Sequence, residues 1–72
     1  MTHLVSAEAA KSLAVAYEAY HDAQRDQDLN AIRVWARLLI AAQNDTGIQF
    51  HANGHLEAVI ESAGRRRHEE AA

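Results

Sequence analysis

The sequence predicts a small all-α domain, either a three-helix bundle or an α-hairpin with an appended third helix. Apolar residues recur with the helical period along three segments, about residues 7–25, 29–44 and 55–68, which short polar stretches separate. The 72 residues include no Pro and only 3 Gly, so little interrupts these segments. We expect one domain over residues 1–72, with loose ends at 1–5 and 69–72.

The first helix is predicted to begin after Ser6, whose hydroxyl is a good N-cap. Glu8 then falls in the first turn, where the helix dipole favours a carboxylate. At about 100° per residue, the apolar residues share one face, as in an ordinary one-sided amphipathic helix. These residues are Ala9, Leu13, Ala16, Tyr17, Tyr20 and Ala23.

The second helix, with Asp28 as its predicted N-cap, is the most informative segment. Four of its polar residues fall on a stripe only about 60° wide, and apolar residues occupy most of the rest of its surface. An ordinary surface helix needs an apolar stripe of only about 100°. We therefore expect this helix to be covered on two sides, either within the chain or by another chain. The polar stripe consists of Asn30, Arg33, Arg37 and Asn44.

The segment after the second helix has several possible readings. Gly47 is a plausible C-terminal stop. Thr46 and Gln49 have the spacing of a capping box, whereas Asn53-Gly54 favours a turn or a small hairpin over 48–58. We expect an irregular turn, an N-cap near Asn53 and a third helix that Gly64 weakens or ends early. Its apolar residues at helical spacing are Leu56, Val59, Ile60 and Ala63.

The composition excludes several classes of protein. The chain has no Cys, which rules out disulfides, thiolate metal sites and thiol nucleophiles. No apolar run is long enough to span a membrane, and the first residues do not resemble a secretory signal. The net charge of −3 is opposite in sign to that of most nucleic-acid-binding domains and too small for a nucleic-acid mimic. We expect a soluble, cytoplasmic protein without a membrane partner.

The second helix also provides the predicted binding surface. Nearly half of the apolar residues in the chain are alanine, so the core is small, and domains of this size often gain stability by oligomerisation. We expect a non-enzymatic, regulatory or adaptor-like interaction module that completes its core by homo-oligomerisation or binds a helix of another protein. The residues expected to carry this contact are Val34, Trp35, Leu38 and Ala42.

A small dimeric nucleic-acid-binding regulator is the alternative. Arg65, Arg66 and Arg67 form the only cationic run, and with Arg33 and Arg37 they could contact phosphates. However, Glu61 lies four residues before Arg65, and Glu69 and Glu70 follow the run, which favours helix-stabilising ion pairs. A helix-turn-helix over the second and third helices is disfavoured by the length of the connection between them.

Metal binding is a weaker alternative, and catalysis is not expected. His51 and His55 are four residues apart, but Asn-Gly between them argues against a helical pair of zinc ligands. Glu18 and His21 have the spacing of carboxylate-bridged metal bundles, but they lie on the polar side of the first helix. The serines lack a glycine-rich elbow or a phosphate loop. We therefore assign no metal, cofactor or catalytic residue.

Overall fold

Three α-helices make up the fold. The computed structural model describes residues 6–71, in which α1 spans Ala7–Arg25, α2 spans Leu29–Thr46 and α3 spans Asn53–Ala71. No strand occurs in this part of the chain, so the hairpin considered for residues 48–58 is not formed. The all-α prediction is confirmed. The predicted loose end at 1–5 lies outside the described residues, as does residue 72 of the loose end predicted at 69–72, whereas residues 69–71 belong to α3.

The predicted caps of α1 and α2 are present. The Ser6 hydroxyl accepts a hydrogen bond from the backbone N–H of Ala9 at 3.1 Å, and the Asp28 carboxylate accepts one from Ala31 N–H at 3.1 Å. Gly47 ends α2 in the left-handed conformation, with φ of +72°, which glycine adopts without a steric cost. These local hydrogen bonds explain why α1 and α2 begin where the sequence predicts.

The end of α2 lies two residues later than predicted. Thr46 is buried in the last turn, where its hydroxyl donates to the Gln43 carbonyl at 3.2 Å and accepts from Ile48 N–H at 3.1 Å. This hydroxyl therefore satisfies backbone groups on both sides of the helix end. The capping box considered for Thr46 and Gln49 is not formed, because Thr46 closes α2 rather than starting α3.

The start and the end of α3 also differ from the prediction. The helix begins at Asn53 rather than His55, and the carbonyl of Ala52 accepts the first helical bond, from Leu56 N–H at 3.1 Å. The Asn53 side chain does not act as the cap, because it is engaged with α2. Gly54 lies in the first turn, and the helix continues past Gly64 to Ala71.

Gln43 fixes the connection between α2 and α3. Its side chain is 3% exposed and uses both ends of its amide. The Oε1 atom accepts from the backbone N–H groups of Phe50 at 2.7 Å and His51 at 2.8 Å. The Nε2 atom donates to the His51 carbonyl at 3.0 Å and to Asn53 Oδ1 at 3.2 Å. A single buried side chain thus replaces the secondary-structure bonds that the connection lacks.

The core forms where α1 and α3 each pack against α2. Within residues 6–71, no Cα atom of α1 lies within 8 Å of one in α3, so α2 is the central helix, as its wide apolar surface predicts. None of the three described helices has an apolar stretch of the length and hydropathy needed to cross a bilayer. The buried apolar residues are Leu13, Ala16, Tyr20, Ala23, Leu29, Ile32, Ala36, Leu39, Ala42, Leu56 and Ala63.

Candidate partner-binding groove

An open groove runs along the junction of α1 and α2. The apolar stripe of α1 packs against α2, and the residues at the edge of that contact form the two walls of the groove. Most of them are small or apolar, so the surface offers van der Waals contact and few hydrogen-bonding groups. The lining consists of Ala9, Lys11, Ser12, Val15 and Ala16 from α1 and of Trp35, Leu38, Ala41, Ala42 and Asp45 from α2.

Large aliphatic side chains remain exposed along this groove. Val15 is 50% exposed and Leu38 is 46% exposed. Val34 lies outside the lining but one helical turn from Leu38, and it is 52% exposed. Trp35 is partly buried against the core. Aliphatic side chains that are contiguous and exposed in this way mark surfaces that contact other molecules more often than isolated ones do.

The structure brings three of the four residues predicted for binding into this groove. Trp35, Leu38 and Ala42 line it, and Val34 lies next to it. The α1 wall was missed, because sequence reasoning treated α1 as a one-sided helix packed only on the core. Val15 could have indicated this wall, because it is an apolar residue outside the apolar stripe of α1 that includes Leu13 and Ala16.

Two opposite charges lie at one end of the groove. Lys11 is on the α1 wall and Asp45 on the α2 wall. Neither takes part in an ion pair within residues 6–71, where the ion pairs join Arg25 to Asp22 and Asp26, and Arg65 to Glu61. The charged side chains of the groove therefore sum to zero and remain free to pair with groups on a partner.

The arginines of the alternative site are divided between different surfaces. Arg33, Arg37 and Arg65 line one depression between α2 and α3, but Glu61 and Glu69 line it too. The predicted ion pair is confirmed, since Arg65 Nη1 lies 3.1 Å from Glu61 Oε1.

Arg66 and Arg67 point away from the depression that Arg65 lines, because successive residues of a helix point about 100° apart. Arg66 lines another depression, beside Leu29 and Ile32. Arg67 is exposed. Arg33 is not a freely solvated residue, because its guanidinium lies over Gly64 and its Nε atom is buried without a hydrogen-bond partner. The arginines do not form one continuous cationic surface.

A cluster of imidazole and phenol rings lies where α1 meets the connection. The His51 ring centroid is 5.7 Å from those of Tyr17 and Tyr20, 5.8 Å from that of His21 and 6.0 Å from that of His55. Burial, followed by the charges of His21 and His55, lowers the pKa of His51 from its ordinary value. The Nε2 atom of His51 is buried without a hydrogen-bond partner.

The same cluster contains the histidines considered as metal ligands. In the described part of the chain, no group of three or more His, Cys, Asp or Glu side chains is arranged to hold a metal ion. His21 packs against Tyr17 instead, with ring centroids 4.5 Å apart. The pair Glu18 and His21 is exposed on α1.

Comparison with known proteins finds no relative. The chain matches no family model, and no curated protein or solved structure shows significant similarity to it. The basis for a functional proposal is therefore the surface of the protein itself, including the apolar groove between α1 and α2.

Proposed function

We propose that the protein is a non-enzymatic interaction module that receives an apolar helix in the groove between α1 and α2. The observation that carries this proposal is the exposure of Val15 and Leu38 beside the partly buried Trp35. A helix lying in an apolar groove is a common mode of protein recognition, and tryptophan is a frequent anchor in such contacts.

The energetics support binding at this surface. Covering the exposed half of one Val or Leu side chain contributes roughly 1 kcal/mol. Val15, Val34 and Leu38 together would contribute several times that amount, in addition to contacts made by Trp35. The backbone of both helices is already ordered, so binding does not have to order it, and the cost that remains is the side-chain, translational and rotational freedom that any association loses. The exposed aliphatic side chains of the groove therefore contribute favourably to association.

The chemistry of the lining supports binding rather than catalysis. Ser12 is the hydroxyl of the groove, but no side-chain hydrogen bond within residues 6–71 links it to a base. An activated serine needs such a base within hydrogen-bond distance. Lys11 and Asp45 are open charged groups suited to ion pairs across an interface.

The test compares two neighbouring surface residues of α2. Leu38→Asp introduces a charge into the groove, whereas Arg37→Asp introduces the same charge outside it. We expect Leu38→Asp to abolish self-association, or capture of a protein from an extract of the producing cells, and Arg37→Asp to preserve it. Circular dichroism verifies that both variants retain their helices. If Leu38→Asp leaves both solution mass and capture unchanged, the assignment of this surface is wrong.

A dimeric nucleic-acid-binding regulator is the second candidate, because Arg33, Arg37 and Arg65 share one depression. Contacts with phosphates must weaken steeply as salt rises. This candidate predicts a mobility shift of random duplex DNA or RNA at low salt, which Arg37→Asp reduces. The absence of any shift at low salt would eliminate it. The carboxylates of Glu61 and Glu69 in the same depression place it second.

A further inference from the structure

We propose that the occupant of the groove is the same groove of a second copy, bound in an antiparallel, two-fold symmetric arrangement. This inference rests on the proposed function and specifies the partner. Three features of the described residues support it: the balance of buried and exposed apolar residues, the distribution of side-chain size along the groove, and its charge.

The balance of apolar residues indicates an incomplete core. Almost as many large apolar side chains are exposed as are buried, and the remaining buried apolar residues are alanines. A domain of this size has little stability to lose, and association with a second chain is a common way to bury such groups. The large buried residues are Leu13, Tyr20, Leu29, Ile32, Leu39 and Leu56, whereas Val15, Val34, Leu38, Ile48 and Phe50 are exposed.

Large and small side chains occupy different halves of the groove. A short turn joins α1 to α2, so residues equally distant from it along the two antiparallel helices lie at the same level. Trp35, Leu38 and Val15, with the buried Ala16, lie in the half nearer the turn. The uncharged residues of the half farther from the turn are the smaller Ala9, Ser12, Ala41 and Ala42, and Lys11 and Asp45 line its walls. The groove is therefore raised at one end and recessed at the other.

A two-fold axis through the middle of the groove would match these halves. In a symmetric dimer, a contact between residue i of one copy and residue j of the other occurs twice. Rotation by 180° places the raised half of each copy over the recessed half of the other. Leu38 of each copy then faces Ala41 of the other, where a small side chain leaves room for it. Small residues opposite large ones give the interdigitation that tight packing requires.

The charges of the groove are compatible with this pairing. Lys11 and Asp45 have opposite signs and both lie in the recessed half. Two copies can therefore approach without net repulsion between their grooves. In the antiparallel arrangement, the Lys11 and Asp45 side chains of one copy lie at the opposite end of the contact from those of the other, so like charges do not meet. The charge pattern is therefore compatible with a second copy.

Reciprocal variants test the pairing. Leu38→Glu and Ala41→Lys each place a charge on an exposed position, so neither should prevent folding, and circular dichroism verifies this. By light scattering after size-exclusion chromatography at micromolar concentrations, we expect the natural chain to have twice the mass of 7.9 kDa. Each variant alone should have the mass of one chain.

Mixing the two variants is the decisive step. In a mixed dimer, the introduced glutamate of one copy faces the introduced lysine of the other, and the second, symmetry-related contact remains the natural pair of Leu38 and Ala41. We therefore expect the equimolar mixture to recover the mass of two chains. Arg37→Asp, which lies outside the groove, should remain dimeric. A mixture that stays at the mass of one chain would overturn the antiparallel arrangement.

The result for the natural chain distinguishes this inference from the proposed function. If the natural chain has the mass of a single chain at every concentration, the second copy is not the occupant. The proposed function would still stand if the natural chain and Arg37→Asp capture the same protein and Leu38→Glu does not. If Leu38→Glu changes neither mass nor capture, both proposals fail.

Discussion

The two sides of α2 differ in how far the rest of the chain satisfies and covers them. Toward the connection with α3, the buried amide of Gln43 forms hydrogen bonds with Phe50, His51 and Asn53. Toward the groove, Leu38 is 46% exposed, while its neighbour Leu39 is fully buried. The first side is closed by hydrogen bonds within the chain, although Ile48 and Phe50 of the connection remain exposed, and the second leaves the aliphatic surface of the groove uncovered. The difference indicates which side of this helix has contacts left to make.

The largest expected effect comes from the adjacent leucines of α2. Leu39→Ala should lower the free energy of unfolding by about 3 kcal/mol, because it leaves a cavity in the core. Leu38→Ala should cost less than about 1 kcal/mol when the chain is monomeric, because that side chain is already half exposed. Urea unfolding of dilute protein measures both values. Equal losses would mean that the groove side is as closed as the core.

Gln43→Ala should have the next largest effect. It leaves the partly buried N–H groups of Phe50 and His51 without their acceptor, so we expect a loss of about 2 kcal/mol in the free energy of unfolding. Gln24→Ala is the matched control, since Gln24 is exposed and donates one hydrogen bond, to the Tyr20 hydroxyl at 3.0 Å. Its loss should be below about 1 kcal/mol. Thermal unfolding of the two variants provides the comparison.

Acidification should weaken the closed side of the molecule. The pKa of His51 in the folded protein is lowered from 6.5, first by burial and then by the charges of His21 and His55. The unfolded chain therefore takes up this proton at a higher pH than the folded chain does. Stability should be complete above pH 6.5 and fall as the pH decreases from there toward the lower pKa of the folded state.

His51→Phe tests this pH dependence. Phenylalanine keeps a ring between Tyr17 and Tyr20 but cannot titrate, so the slope of melting temperature against pH should flatten. His68→Phe, at an exposed position of α3, should leave the slope unchanged. The groups that face His51 are the two tyrosines and His21 from α1 and His55 from α3. An unchanged slope in His51→Phe would contradict the assignment.

The smallest expected effect concerns glycine in α3. A Cβ atom at Gly64 would lie 3.6 Å from Arg33 Nε, an ordinary van der Waals distance. Gly64→Ala should therefore stabilise the protein by about 0.5–1 kcal/mol through helix propensity. Gly47→Ala should instead destabilise it by roughly 1 kcal/mol, because φ there is +72°. A loss in Gly64→Ala would mean that Arg33 packs more tightly on α3 than the structure shows.

Local signals were sufficient for most of the fold. The caps at Ser6 and Asp28 and the stop at Gly47 depend on hydrogen bonds and dihedral angles within a few residues, so the sequence reveals them. The start of α3 depends on hydrogen bonds nine or ten residues apart, one that Asn53 accepts from Gln43 and one that it donates to Asn44. Local propensity predicts a turn at Asn53-Gly54, and only the folded chain shows the hydrogen bonds of the Asn53 side chain with α2.

The candidate site was predictable in part for a similar reason. The excess apolar width of α2 is a property of one segment, and two of the residues that it singled out, Leu38 and Trp35, line the groove. The opposite wall depends on how α1 lies against α2. Val15 becomes significant only once that packing leaves it 50% exposed beside Leu38. A periodicity calculation on α1 alone treats it as an ordinary surface residue.

The position of Trp35 has a practical consequence for optical spectroscopy. It is the only tryptophan in the chain and lies in the groove, whereas Tyr17 and Tyr20 belong to the ring cluster near the connection. Indole emission moves to shorter wavelength when water leaves its surroundings. With excitation selective for tryptophan, the colour of the emitted light reports whether the groove is occupied, without a label attached to the protein.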